Sequence, residues 1–181
     1  MFERACLFDT EIGLCGISWT DAGLTSCQLP EASADAAVAR IGRYGAEILP
    51  EGDVSGEPAE AMAALKAFTS GIPTGFQDIR LDMHRHGAFE QAVYAVLRQV
   101  PWGETVTYGW LAKTAGQPLG AQAVGMAMGR NSWPLVVPCH RVLAAGGKTG
   151  GFSAYGGVTT KAALLQREGV YLDGGQMALF E

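Results

Sequence analysis

With 181 residues, 48% of them hydrophobic, the chain has enough apolar material for one large domain or two small ones. No apolar run approaches the ~18 residues a membrane helix needs, and Met1-Phe2-Glu3-Arg4 lacks the basic-then-apolar order of a secretory leader, so no membrane association and a cytoplasmic location are expected. A net charge of −5 argues against a polyanionic partner, but the charge is uneven: residues 1–86 carry 6 Lys/Arg against 13 Asp/Glu, whereas residues 87–181 carry 7 against 5.

Any contact with nucleic acid is therefore expected from the second half, although two differently solvated domains would produce the same split. The first half opens with short apolar runs at 5–8, 13–19 and 23–29, separated by Asp9-Thr10-Glu11 and Thr20-Asp21-Ala22-Gly23, which predict a meander of strands. Helices are predicted over 32–44 and 57–69, flanking a polar surface loop at 50–56. From 71 to 87 the chain is rich in Gly, Pro and charge, which places a domain boundary near residue 86. The expected organisation is an N-terminal mixed α/β (α+β) domain with a short-stranded sheet over 1–86, and a mostly helical domain over 87–181.

In the second half, Phe89, Val93, Val96, Leu97 and Val100 fall on one face of a helix that Pro101 ends. A short helix over 108–115, the breaker Gly116-Gln117-Pro118-Leu119-Gly120 and a second helix over 121–130 form a helix-turn-helix pattern. Such a pattern suits DNA, whose groove the second helix usually enters, but it equally suits an ordinary helical hairpin. Ala121, Ala123, Gly125, Ala127 and Gly129 leave that second helix thin, so its backbone can come close to another surface. A strand is predicted over 134–137, followed by a glycine-rich loop over 144–157 and a final helix over 159–168 with Gly169 at C′.

Chemistry concentrates at Pro138-Cys139-His140-Arg141. Cys139 is expected where an apolar strand meets a turn whose backbone N–H groups can stabilise an anion, with His140 as base and Arg141 adding positive potential, so an ionised sulfur is expected. The same dipeptide also fits an inert buried cysteine beside a chance histidine. Glu168 can hold the imidazole by accepting its N–H, and a carboxylate at a helix C-terminus needs such a reason because it faces the negative end of the dipole. Cys6, Cys15 and Cys27 lie in apolar runs and read as core. They show no paired short spacing, with or without His84 and His86, and no metal site is expected.

The run Asn131-Ser132-Trp133-Pro134-Leu135-Val136-Val137-Pro138-Cys139-His140-Arg141-Val142, with Gly156-Gly157, Lys161 and Leu164-Leu165-x-x-Glu168-Gly169, closely resembles the methylated-DNA–protein-cysteine methyltransferases, also called O6-alkylguanine-DNA alkyltransferases. The resemblance covers about residues 87–172, including Val106-Thr107-Tyr108-Gly109-x-Leu111-Ala112 and Ala123-Val124-Gly125, and is loose before that. It implies an N-terminal α/β domain followed by a winged-helix-like domain, and repair of double-stranded DNA carrying O6-alkylguanine by single, irreversible alkyl transfer to the protein's own cysteine. No cofactor is implied, and a monomer is expected. Carried over by position, Cys139 is the acceptor, His140 the base acting through water, Glu168 its orienting partner, Asn131 the brace of the turn, and Tyr108 the support of the guanine leaving group. The implied DNA contacts are Gln122, Ala123, Arg130 and Arg141, and the implied pocket is Tyr108, Val142, Trp133, Ser153 and Tyr155.

Three departures stand out. Gln122 occupies the position of the arginine that fills the space left by the extruded base, which predicts weaker or more salt-sensitive binding, with Arg130 compensating in part. The loop at Phe152-Ser153-Ala154-Tyr155 is longer than in better-known members, and the zinc ligands some members carry in the first domain are not supplied here. Alternatives within reach of the same residues are a lesion sensor without transfer, a Cys-His hydrolase and a winged-helix regulator. The presence of Cys139 opposes the first, and the adjacency of Cys139 and His140 opposes the second.

Overall fold

The computed structural model describes residues 2–172. By internal contacts the described residues divide into two units: 2–85 together with Ser132–Val136, and His86–Asn131 together with 137–172. Residues 132–136, expected in the second domain, thus group with the first.

In the first unit, β1 (Arg4–Thr10), β2 (Gly13–Thr20) and β3 (Gly23–Gln28) form an antiparallel meander, with Arg4 opposite Trp19 and Thr10 opposite Gly13. A two-residue strand, β4 (Glu47–Ile48), runs parallel to β1 and completes the order β3-β2-β1-β4. Gly23 is required at the second hairpin: its φ is +137°, and a Cβ there would lie 2.7 Å from the Arg80 carbonyl oxygen. Helix α1 (Ala34–Ile41) starts at Ser33, whose Oγ accepts the Ala36 N–H at 3.1 Å, and it buries Ala37 and Ile41. Helix α2 (Glu57–Thr69) buries Ala61, Met62, Leu65 and Phe68 over the sheet. Large apolar side chains of this kind each stabilise the fold by about 1.5–3 kcal/mol.

The strand predicted over 134–137 does not form. Residues 132–137 make a turn in which Leu135 takes φ +75°, a left-handed conformation costing roughly 1–2 kcal/mol for a non-glycine residue. Burial holds it there: Leu135 is 2% exposed, and Trp133 is fully buried with its indole Nε1–H donating to the Leu24 carbonyl at 2.8 Å. An unbroken apolar run signals burial on all sides but does not distinguish a strand from a packed turn.

The second unit is mostly helical. Helix α3 (Ala88–Leu97) buries Val93, Tyr94 and Leu97, and the Glu90 carboxylate reaches back to the Gly87 N–H at 3.2 Å. Two short strands, β5 (Val106–Thr107) and β6 (Val142–Leu143), pair in parallel. Helix α4 (Tyr108–Thr114) is capped by Thr107 Oγ1, which accepts the Trp110 N–H at 3.1 Å. A turn with Gly116 at φ +87° leads to α5 (Ala121–Gly129), which packs on α4 and α3. Helix α6 (Gly157–Arg167) ends with Glu168 as C-cap and Gly169 at φ +82°. The whole is a mixed α/β chain with a helix-turn-helix in α4–α5. No described helix is long and apolar enough to cross a membrane.

Candidate active site

Pro138 ends the buried run, and residues Cys139–Arg141 form a single 3-10 turn at the start of β6. Cys139 is 7% exposed and its N–H donates to the Val137 carbonyl at 2.7 Å. Asn131, just after α5, donates Nδ2–H to the same carbonyl at 2.8 Å, and its side chain also hydrogen-bonds the cysteine sulfur. One amide therefore ties the end of the second helix of the motif to the Cys139 turn.

His140 is fully buried, with Nε2 2.7 Å from Glu168 Oε1. Glu168 also accepts from Arg141 Nε at 2.9 Å, Arg141 Nη2 at 2.9 Å and the Gly103 N–H at 3.1 Å. Arg141 spends its remaining reach on the Val100 carbonyl, 2.6 Å from Nη1. Four donors around one buried carboxylate explain why it sits at a helix C-terminus against the dipole. Burial pushes Glu168 up, yet the hydrogen bonds and charges of His140 and Arg141 outweigh it and hold the group down at about 2. An ionised Glu168 fixes the proton of the neutral imidazole on Nε2 and leaves Nδ1 as the basic nitrogen. Burial, opposed by Glu168, lowers the His140 pKa below its ordinary value.

The sulfur itself differs from expectation. Burial dominates and raises the Cys139 pKa, while the Asn131 hydrogen bond, the Lys161 charge and the turn's backbone N–H groups act in the opposite direction without prevailing. The resting form is the thiol. Arg141 does not supply the expected field because its charge is matched by Glu168 at contact distance.

Cys139 lies on a cavity of about 300 Å³. Tyr108, at the start of α4, forms one wall; Gly125, Met128 and Gly129 of α5 form another; Gly151, Phe152 and Ser153 of the glycine-rich loop close the third. Gly150 is needed beside it: at φ +68°, a Cβ there would meet Tyr108 Cε2 at 3.2 Å. A side chain at Gly125 or Gly129 would meet nothing within 4 Å, so these two glycines keep the α5 side open. Burial and the nearby sulfur raise the Tyr108 pKa, so its phenol stays a proton donor.

The structure brings together Cys139, His140, Glu168, Asn131 and Tyr108, and it places Ser153 in the cavity wall. Several expected positions change. Trp133 is buried in the first unit against Leu24 and does not line the cavity. Val142 is buried in β6 and contributes its carbonyl as the acceptor for Lys161, while Tyr155 is 58% exposed and lies outside the cavity wall. Arg141 is 5% exposed and committed to Glu168, so it does not present a cation to DNA. Gln122 is exposed on α5 and Ala123 half-buried, and Arg130 projects to solvent but pairs with Glu90 at 3.2 Å.

Sequence reasoning assigned no role to Lys161. Its ammonium is buried and donates to the Val142 carbonyl at 2.5 Å and the Gly151 carbonyl at 3.4 Å, joining the strand after the Cys139 turn to the cavity loop. Burial lowers its pKa to about 8, against the pull of Cys139. A lysine on the apolar side of the final helix, one turn before Leu164 and Leu165, was the available signal. No group of three or more His, Cys, Asp or Glu among the described residues is placed to hold a metal.

A thiol on a cavity, a buried His-Glu pair beginning at the next residue and a helix-turn-helix in the same unit define a helix-turn-helix protein with a cysteine placed to act as a nucleophile. Comparison with known proteins places it further. Residues 88–170 match the family model described as 6-O-methylguanine DNA methyltransferase, DNA binding domain. The methylated-DNA–protein-cysteine methyltransferase of Methanothermobacter thermautotrophicus is 31% identical over 159 residues, covering 88% of this chain and 81% of that protein. The protein of the same name from Mycobacterium bovis is 44% identical over 108 residues, a stretch spanning 60% of this chain and 63% of that relative's length. The crystal structure of Mycobacterium tuberculosis OGT in complex with DNA superposes with a TM-score of 0.75 at 34% identity, covering 91% of this chain and 92% of that one. The chain belongs to the methylated-DNA–protein-cysteine methyltransferase family.

Proposed function

We propose that this protein acts as a cytoplasmic monomer that repairs double-stranded DNA, moving the alkyl group of O6-alkylguanine to Cys139 Sγ once per molecule. The observation that carries this reading is the Cys139 thiol on the 300 Å³ cavity, followed in sequence by a buried His140 whose Nε2 is held by Glu168. O6 lies within the base stack, so the guanine must rotate out of the duplex at a cost of a few kcal/mol of lost stacking. The exposed face of α5, with Gln122 at its start, is suited to the groove, and Gly125 and Gly129 let the flipped base pass close to the helix backbone. Ala123 and Arg130 flank that approach.

In the reaction the Cys139 S–H proton passes to His140 Nδ1, directly or through one water, and Glu168 stabilises the resulting imidazolium. The sulfur forms a bond to the alkyl carbon as the carbon–O6 bond breaks, and the electron pair of that bond stays with guanine. Tyr108 donates its phenolic hydrogen to the departing base, balancing the developing negative charge. Asn131 holds the turn in register and hydrogen-bonds the sulfur. The thioether product has no easy reverse path, so the protein is consumed.

The test is incubation with duplex DNA containing O6-methylguanine, followed by peptide mass spectrometry. One methyl per protein on the Cys139 peptide, absent in Cys139→Ala, is expected. Repeated turnover would point to a hydrolase, and tight lesion binding without modification would point to a sensor.

A further inference from the structure

The first unit carries a cationic site that alkyl transfer does not use. Six Lys/Arg lie in residues 1–86. Four are matched by carboxylates: Arg4 by Asp21, Arg40 by Glu31, Lys66 by Glu51 and Arg80 by Glu57. The other two, Arg43 and Arg85, have no carboxylate partner among the described residues, and both sit on the same aromatic ring. Their guanidinium carbons lie 5.6 Å and 5.5 Å from the ring centroid of Tyr44, which is 69% exposed. Arg85 is steadied from behind: its Nε–H donates to His84 Nε2 at 3.3 Å, and His84 in turn rests on the buried Asp82, whose other oxygen accepts from Thr20 at 2.8 Å.

Two like charges gathered on one exposed ring, in a unit whose net charge is strongly negative, call for an anion. A guanidinium over an aromatic ring is held in place by it, and its planar set of N–H donors matches the oxygens of a phosphodiester. An exposed tyrosine face between them offers a flat apolar surface to sugar or base. Acidic groups elsewhere on the unit repel a polyanion, so this patch is where a DNA backbone would be accepted. We propose that Arg43, Tyr44 and Arg85 form an auxiliary DNA-backbone contact on the first unit. The proposal rests on the reading that duplex DNA is the substrate.

The test uses the full chain and a lesion-free duplex, with affinity followed by fluorescence anisotropy from about 50 to 200 mM salt. Each phosphate contact contributes roughly 0.9 to the slope of log affinity against log salt, so an Arg43→Gln/Arg85→Gln double variant should be shallower by about 1.8. Over that fourfold rise in salt, its affinity should fall roughly 12-fold less than the parent's. Tyr44→Ala should weaken binding with the slope unchanged, and Arg40→Gln, whose charge is already matched by Glu31, should behave as the parent. Transfer from the free base O6-benzylguanine needs only the Cys139 cavity, and it should be unchanged in every variant. If the double variant loses that free-base reaction through misfolding, the single variants carry the test, each expected to remove about 0.9 from the slope. A double variant with the parent's affinity and slope overturns the auxiliary contact alone. A parent that binds no duplex at low salt overturns both this contact and the DNA reading beneath it.

Discussion

Replacing Glu168 by Gln takes one negative charge from a place where three residues depend on it. The carboxylate is 5% exposed and accepts from His140, Arg141 and the Gly103 N–H. Gln preserves the shape but offers one acceptor oxygen and turns N–H donors toward the donors of His140 and Arg141, leaving a guanidinium that is 5% exposed without its counter-charge. Breaking a buried pair by removing one partner costs about 3–5 kcal/mol. A second route gives a similar size: lowering a carboxyl from its ordinary 4.5 to about 2 corresponds to roughly 3 kcal/mol of stability. In a chain of this length each kcal/mol moves the melting temperature by about 2–4 °C, so Glu168→Gln should melt about 6–20 °C lower at pH 7. The pH dependence has a definite sign. Because the folded carboxyl titrates below the unfolded one, its contribution is complete above about pH 4.5 and disappears as pH falls toward 2. Thermal melts followed by circular dichroism from neutral to acid pH would show the parent losing stability across that window, with the variant lacking this component. A variant melting within about 2 °C of the parent at pH 7, or equally acid-sensitive below 4.5, would refute the assignment of Glu168 as the charge that binds the relay together.

Other outcomes follow from the same geometry. Lys161→Met should cost about 1–3 kcal/mol by leaving the Val142 carbonyl unpaired, and it should slow single-turnover transfer because Gly151 in the cavity wall loses its tie to β6; a parent-like rate would show that the ammonium does not position the loop. The transfer rate should rise from neutral into alkaline pH, because burial raises the Cys139 thiol and leaves His140 neutral above its ordinary 6.5; stopped-flow rates that stay flat across that range would contradict a resting thiol. Gln122→Arg, at an exposed position on α5, should tighten duplex binding and steepen the salt slope by about 0.9 in anisotropy titrations.

Most of the elements were legible because their signals were local. The three antiparallel strands of the four-stranded first sheet are set by apolar runs punctuated at Gly13 and Gly23, and α2 falls over the predicted residues 57–69. What failed was long-range. The apolar run before Cys139 reads as a strand, yet its fate is decided by Trp133 packing against Leu24, more than a hundred residues earlier in the chain. Arg141 looks like a DNA contact because cations usually face solvent, and only its pairing with Glu168, 27 residues on, turns it inward. The five residues expected around the chemistry came from motif positions, whereas the cavity walls came from backbone proximity, which Gly125, Gly129 and Gly151 express only as missing side chains.

The buried relay also bears on when the sulfur becomes reactive. A permanently ionised thiolate in a cavity would be exposed to oxidation and stray alkylation, and under the proposed single transfer a damaged acceptor sulfur would not be replaced. Burial keeps Cys139 protonated at rest, while Glu168 and Arg141 already form a neutral pair beside it. Passing the thiol proton to His140 therefore creates a thiolate and an imidazolium together and leaves the net charge of the site unchanged. Ionisation is then a transfer within a compensated cluster instead of the burial of a lone anion, which would cost several kcal/mol more. An alkylguanine seated in the cavity would exclude water and strengthen the attraction between the two new charges, so the sulfur is activated in the geometry where an electrophilic carbon is within reach.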